Sequence, residues 1–159
     1  MIKAILSDFS RVILRPKNRE GNDSMGRFHR EMQETEGYRI FDYFELNAEL
    51  LDFYRSLKGR YPIYMFTTSF LEKEPEIARQ IEGIFDRILV THEMGLHKKE
   101  PSSYVTVARE LGYQPEEILY IDDTPHRAAA AEAAGMKVVL FTTNAEAIPE
   151  IEKILNILR

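Results

Sequence analysis

Residues 118–141 read ILYIDDTPHRAAAAEAAGMKVVLF, and this run decides the fold. Ile118–Ile121 is a short apolar run of β-branched and aromatic residues, the pattern of a strand buried on both faces. Asp122 and Asp123 close it. Pro125 then stands where the first residue of a helix belongs, Ala128–Ala134 is a stretch of small residues, and Gly135 stops it. Small side chains let a helix lie close against a sheet. A second apolar run, Lys137–Phe141, follows at once. A strand, a helix and a strand in so short a span form a unit that pairs its strands in parallel.

The same pattern extends in both directions. Ile2–Phe9 and Pro62–Thr67 read as further strands, and Arg87–Val90 as a weaker one. Helical spacing puts Leu46, Leu50, Phe53, Tyr54 and Leu57 on one face. Tyr104, Val107, Ala108 and Leu111 fall on another, ended by Gly112. Ala145–Leu158 places Ile148, Ile151, Leu155 and Leu158 on one stripe. Strands alternating with helices imply an α/β fold, a parallel sheet covered on both faces. The irregular stretch is Arg15–Asp23, polar and containing Pro16 and Gly21, which leads into a helix expected over about Ser24–Gly37. We read the chain as a single domain, 1–159, with a small insertion at about 15–44. There is no internal repeat and no low-complexity linker.

The chain has 159 residues, 44% hydrophobic and 30% charged, with a formal net charge of −5. That balance suits one globular domain with a full core and argues against a nucleic-acid partner. No cysteine is present, which excludes disulfides, thiolate catalysis and cysteine-ligated zinc. MIKAILSDFS is interrupted too early by Asp8 to serve as a signal peptide, and no apolar run approaches the roughly 20 residues of a membrane span. A cytoplasmic location is the expectation.

In open α/β sheets, ligands sit beyond the carboxyl ends of the strands. Asp8, Phe9 and Ser10 follow the first strand, Thr67, Thr68 and Ser69 the second, and Gly95–Lys99 comes after the weak third. Asp122 and Asp123 follow the fourth. Three carboxylates, a hydroxyl cluster and a lysine therefore converge on one edge. Carboxylates brought together repel one another, and a hard divalent cation with oxygen ligands relieves that repulsion. Magnesium leaves positions for phosphate oxygens, while a lysine and a hydroxyl hold the others. A carboxylate can then act as the nucleophile and form an acyl phosphate. Each element alone has a plainer reading: a helix cap, a turn or a solvated loop lysine. The case rests on all four occurring in order, each after a strand.

These residues resemble the motifs of the haloacid dehalogenase-like superfamily. AILSDFSRVIL is similar to its first motif, a strand followed by Asp-x-Asp-Gly-Thr/Val. YMFTTS is similar to the second, a strand ending in Thr or Ser. GLHKKEP resembles the third, Gly-x-x-Lys-Pro-x-Pro, and residues 118–141 resemble the fourth with the helix and strand beyond it. The resemblance covers residues 2–141. It implies a three-layer Rossmann-like fold with a five-stranded sheet in the order 3-2-1-4-5 and a minimal helical cap. It implies Asp8 as nucleophile and metal ligand, with Thr67 binding the transferring phosphate, helped by the backbone at Thr68. Lys98 would neutralise phosphate and carboxylate charge. Asp123 would hold Mg²⁺ directly, Asp122 directly or through water, and the Ser10 carbonyl would also reach the metal. The implied activity is Mg²⁺-dependent phosphohydrolysis through an aspartyl-phosphate.

Three departures stand out. Ser10 replaces the second Asp, which in the family's phosphatases protonates the leaving group and then activates water; a serine hydroxyl cannot supply a proton in that way. Such acid–base help is typically worth about 10²–10⁴-fold. Arg11 stands where Gly is usual and either points outward or reaches a substrate anion. Lys99 replaces the usual Pro, leaving open which lysine enters the site; spacing from Gly95 favours Lys98. His97 and His126 are the first candidates for another proton-transfer group. The small insertion leaves the site open, which suits a phosphorylated small molecule, an exposed phosphate on a large molecule, or a lid supplied by a second subunit. Residues 11–30 hold six Lys/Arg and two acidic residues, so an anion can be steered in, although a solvated surface has the same composition. Phe41, Tyr43 and Phe44 either pack the insertion onto the core, which we favour, or form a patch for another chain.

The alternatives are a non-catalytic binding protein on a degenerate scaffold of this superfamily, and a dehalogenase or phosphonate-cleaving enzyme. A receiver domain would carry its acidic pair after the first strand, whereas here the pair follows the fourth. A dinucleotide-binding fold would need Gly-x-Gly-x-x-Gly after the first strand, and DFSRVIL has none.

Overall fold

Ala4–Ser7 (β1) is the centre of the molecule because all four of its residues are buried. Nothing polar in Ala4, Ile5 and Leu6 needs water, and parallel neighbours on both sides take up the backbone hydrogen bonds. The computed structural model describes residues 1–18 and 24–157. In it, Ile5 pairs with Ile63 of one neighbour and with Leu119 of the other. Those neighbours are Ile63–Thr67 (β4) and Ile118–Asp122 (β6). Arg87–Val90 (β5) and Lys137–Leu140 (β7) complete a five-stranded sheet in the order β5-β4-β1-β6-β7. Counting only these strands along the chain, the order is the expected 3-2-1-4-5, with every pair parallel.

Side chains alternate across the sheet with the period of two that a strand imposes. Ile5, Met65, Leu119 and Ile121 enter one core and Ala4, Leu6, Phe66 and Tyr120 the other. The first core is closed by Ala48–Leu57 (α3), Pro75–Ile81 (α4) and Asn144–Ile154 (α8), through Leu50, Tyr54, Ile77 and Ile151. The second is closed by Pro101–Leu111 (α6) and Pro125–Ala133 (α7), through Tyr104, Val107 and Ala131. Pro opens both α6 and α7 at a position where a missing N–H costs nothing. Gly112 ends α6 with φ 82°, a left-handed value that a side chain would resist. Leu158, expected on the stripe of the last helix, lies outside the described residues.

The insertion differs from expectation in detail. Its helix, Met25–Met32 (α1), is shorter than Ser24–Gly37, because the chain leaves helical geometry after Gln33. Two short strands, Leu14–Pro16 (β2) and Phe44–Leu46 (β3), pair antiparallel with Arg15 opposite Glu45, and Ile40–Tyr43 (α2) lies between α1 and β3. The helical face expected to begin at Leu46 therefore starts after it, with Asn47 capping α3 through Leu50 N. Phe44 is buried and meets Phe28 at 5.8 Å, and Tyr43 stacks on Tyr38 at 5.4 Å. These aromatics pack the insertion together, with Tyr43 left 41% exposed. Residues 19–23, inside the irregular stretch read from sequence, lie outside the described residues. Among the described residues no helix is long and apolar enough to cross a membrane.

Candidate active site

The carboxyl ends of β1 and β6 are adjacent, so Asp8, Asp122 and Asp123 meet at the sheet edge. Carboxylate oxygens of the three all lie within 4.8 Å of one another. Lys98 comes from the loop between Thr91–Met94 (α5) and α6. Its Nζ lies 2.6 Å from Asp8 Oδ1 and 3.7 Å from Asp122 Oδ2. The Lys98 and Asp8 side chains are each only 2% exposed. Lys99 is exposed, which answers the question left open by their adjacency.

The surroundings hold these groups in place. Tyr104 Oη donates to the Lys98 carbonyl at 2.9 Å, and the ammonium lies 5.0 Å from the Phe66 ring centroid. Thr124 N donates to Asp122 Oδ1 at 2.8 Å, and Tyr120 Oη donates to Asp122 Oδ2. Beneath the site Tyr54 Oη donates to Ser7 Oγ at 2.9 Å, which donates to the Asp8 carbonyl at 2.9 Å. Burial pushes the Asp8 carboxyl above its ordinary range, Lys98 pulls it back, and Asp122 raises it further. Burial and then the charges of Asp8 and Asp122 raise Asp123 to about 6. The cluster is thus short of positive charge. Asp8 Oδ2 is buried without a hydrogen-bond partner, an acceptor left for a ligand.

A family model for haloacid dehalogenase-like hydrolases matches residues 5–135. The chain belongs to that family. Enolase-phosphatase E1 of Aquifex aeolicus is 32% identical over 87 residues, covering 49% of this chain and 36% of that protein. The chain therefore spans little more than a third of that relative's length. A predicted HAD-like family hydrolase from Porphyromonas gingivalis superposes with a TM-score of 0.68 at 20% identity, over 99% of this chain and 100% of that one. A HAD family enzyme from Bacteroides thetaiotaomicron, in complex with magnesium and inorganic phosphate, superposes with a TM-score of 0.63 at 17% identity, over 89% and 95% of the two chains. At these identities the superpositions establish the fold.

Beside the carboxylates this haloacid dehalogenase-like hydrolase has two cavities. The larger, about 500 Å³, lies between the sheet edge and the insertion, and its lining includes Ser10, Arg11, Met25, His29, Arg30 and Thr68. The smaller, about 470 Å³, includes His97, Lys98 and Thr68 in its lining. Thr67 is buried at the end of β4, its hydroxyl accepting from Ser69 N at 2.9 Å, and Thr68 is exposed between the cavities. His97 and His126 are both exposed; His97 lines the smaller of these two cavities and His126 lines neither.

Arg127 lines both cavities and escaped the sequence reading. Its guanidinium is 3.8 Å from Asp8 Oδ2, an electrostatic contact too long for a hydrogen bond. The signal was available: Arg127 is the third residue of α7, and helical side chains point back toward the N-terminus, here toward Asp123 and β1. A cation in a first turn opposes the helix dipole, so the neighbouring carboxylates must be what holds it there. His29 was also missed. It is buried on α1, with Nδ1 2.9 Å from Tyr38 Oη and Nε2 3.1 Å from Glu74 Oε1, tying the insertion to the core. No sequence pattern marks a histidine on an insertion helix for such a contact.

Arg11 has φ 66°. For a residue with a side chain this left-handed geometry costs about 1–2 kcal/mol. A tight turn imposes it: Arg11 N donates to the Leu14 carbonyl at 2.6 Å, and Ile13 N and Leu14 N both donate to the Phe9 carbonyl.

Proposed function

We propose that the protein is a Mg²⁺-dependent phosphohydrolase that acts through an aspartyl-phosphate on Asp8. The observation that carries this reading is the buried contact of Asp8 with Lys98 beside Asp122 and Asp123. The donor set fits the cation. Three carboxylates face two cations, Lys98 and Arg127, so one more positive charge is needed, and oxygen ligands suit a hard ion. Asp8, Asp122, Asp123 and the Ser10 carbonyl would hold Mg²⁺, which when bound supplies charge to the phosphoryl oxygens and orients them. The Bacteroides enzyme with magnesium and phosphate, on the same fold, supports the assignment.

The chain's own residues then have the following tasks. Lys98, positioned by the Tyr104 hydroxyl on its carbonyl, holds the Asp8 carboxylate at the sheet edge and favours its ionised form. Thr67, the Thr68 backbone, Lys98 and Arg127 bind the phosphoryl oxygens. The Asp8 carboxylate forms a bond to phosphorus as the ester P–O bond breaks, and the departing alkoxide takes a proton from water. A second water then attacks phosphorus, releasing inorganic phosphate and restoring the carboxylate. Ser10 can orient water but not protonate the leaving group, so both steps are slow. Residues 15–44 act as a small cap over the site, and its openness admits either a small phosphate ester or an exposed phosphate on a larger molecule.

Phosphate release from p-nitrophenyl phosphate and a panel of phosphorylated metabolites tests the reading. Release should require Mg²⁺ and vanish in Asp8→Asn, while Asp123→Ala should bind Mg²⁺ far more weakly by titration. Acid quench should trap phosphorylated Asp8, and Ser10→Asp should shorten its life by up to about 10²-fold at matched metal occupancy. Undiminished release by Asp8→Asn would end the proposal.

A further inference from the structure

We propose that the larger cavity binds a second anionic group of the substrate, a carboxylate or a second phosphate, against Arg11 and Arg30. The preferred substrates are then phosphate monoesters that carry another negative charge. This rests on the phosphatase reading for the position of the first phosphate, and it adds the class of molecule attached to it.

The cavity opens from the catalytic edge. Ser10 and Arg127 are in its lining, and both stand beside Asp8. At about 500 Å³ it has room for more than an inorganic phosphate. The carboxylate in its lining, Glu74, faces His29 at 3.1 Å. Arg11 and Arg30 line the same cavity, one from the turn after β1 and the other from α1. Neither has an ion pair among the described residues. Of the other arginines, Arg15, Arg55 and Arg87 each reach a carboxylate at 2.6–2.9 Å, whereas the exposed Arg39, Arg60, Arg79 and Arg109 have no ion pair among the described residues. What distinguishes Arg11 and Arg30 is their position: two guanidinium groups without an ion pair among the described residues line one cavity beside the carboxylate cluster.

The backbone at Arg11 gives an independent observation. The turn demands φ 66°, which glycine adopts freely, yet an arginine occupies it and bears the strain. Strain retained at the mouth of a cavity is accounted for if the side chain binds something. The start of α1 adds to the same potential. Ser24, Met25 and Gly26 line the cavity, and the first N–H groups of a helix lack intrahelical acceptors. Ser24 Oγ takes only that of Arg27. Guanidinium pairs and free N–H groups together select an anion with several oxygens.

Matched substrates test the proposal on the full chain with Mg²⁺. Fructose 1,6-bisphosphate is compared with fructose 6-phosphate, and phosphoglycolate with ethyl phosphate. Each doubly anionic member should have the higher kcat/KM by at least about tenfold, carried by KM. The preference should shrink as salt rises. The bisphosphate pair and the carboxylate pair show which second anion is favoured. Arg30→Gln, on an exposed helix position, should reduce the preference to about twofold or less by raising KM for the doubly anionic members most. Calorimetric binding of phosphonoacetate against methylphosphonate repeats the comparison without turnover. Turnover of both members at equal kcat/KM, or a preference that survives Arg30→Gln, overturns the second-anion site and leaves the phosphatase reading intact. Absence of turnover with phosphonoacetate bound tighter by about tenfold, and that margin lost in Arg30→Gln, removes the phosphatase reading and keeps the anion site.

Discussion

Two buried carboxylates in this protein stand in opposite circumstances. Asp8, at the end of β1, meets Lys98 at 2.6 Å and Arg127 at 3.8 Å. Glu72, in the short 3₁₀ turn Leu71–Lys73 after β4, is 2% exposed, and neither of its oxygens has a hydrogen-bond partner. Lys73, next to it, is committed to Glu93 at 2.7 Å. Burial alone pushes both carboxyls upward. Glu72 reaches about 7, well above the ordinary carboxylate range. At Asp8 the buried Lys98 and the partly exposed Arg127 oppose that push and favour the anion, whereas Glu72 has no such contact. The difference is that the fold delivers a counter-charge to Asp8 from a distant stretch of chain and delivers none to Glu72.

The comparison breaks most sharply at Lys98. Lys98→Met keeps the apolar stem between Phe66 and Tyr120 but leaves Asp8 with only the 3.8 Å contact to Arg127, next to two further carboxylates. Removing one partner of a buried pair typically costs about 3–5 kcal/mol. We expect a loss of that size by denaturant unfolding without Mg²⁺, together with loss of phosphate release by a factor of about 10³ or more. The double variant Lys98→Met with Asp8→Asn should recover part of the stability and none of the activity. If Lys98→Met is as stable as the parent, the pair is not what holds this edge together.

Glu72 sharpens the comparison from the other side. Its folded value of about 7 lies above the ordinary 4.5, so the protonated form is the one the fold favours. The stability this group contributes is complete below about pH 4.5 and is lost as pH rises through 7. Glu72→Gln has the same shape and cannot ionise. Its stability relative to the parent should therefore improve between pH 5 and pH 8, by about 1–3 kcal/mol. A thermal-unfolding difference that stays flat across that range would show that Glu72 finds a counter-charge in solution.

How much of this could be read from sequence depends on where each group sits on the chain. Asp8, Asp122 and Asp123 end strands of strong apolar pattern, so the parallel sheet that the pattern implies brings them together without further information. Lys98 needed a family motif to distinguish it from Lys99, since spacing in a loop does not fix direction. Arg127 follows from the same helix start that identified Asp123, once the backward tilt of helical side chains is considered. The insertion is the illegible part. Its two strands are three residues each, its helix is set by aromatic contacts such as Phe28 with Phe44, and none of these has a periodicity long enough to detect. Glu72 was equally hidden, because nothing in FLEKEP distinguishes the buried glutamate from the half-buried Glu74.

Arg11 is the converse of Glu72, a charge at the surface with no ion pair among the described residues, and it gives the smallest of the expected effects. Replacing it with Gly relieves the left-handed strain at φ 66°. Glycine also enlarges the unfolded ensemble, which takes back part of the gain. The two together leave a net stabilisation of about 0.5–1 kcal/mol. No ion pair is lost, so nothing else should offset it. Arg11→Ala separates the contributions: it removes the guanidinium but keeps the strain, and should leave stability within about 0.5 kcal/mol of the parent. Both variants should weaken binding of phosphonoacetate to a similar degree, since both lack the cation. A glycine variant less stable than the parent would mean that the Arg11 side chain is held by contacts strong enough to outweigh the strain. Its geometry would then be explained by the fold rather than by a ligand.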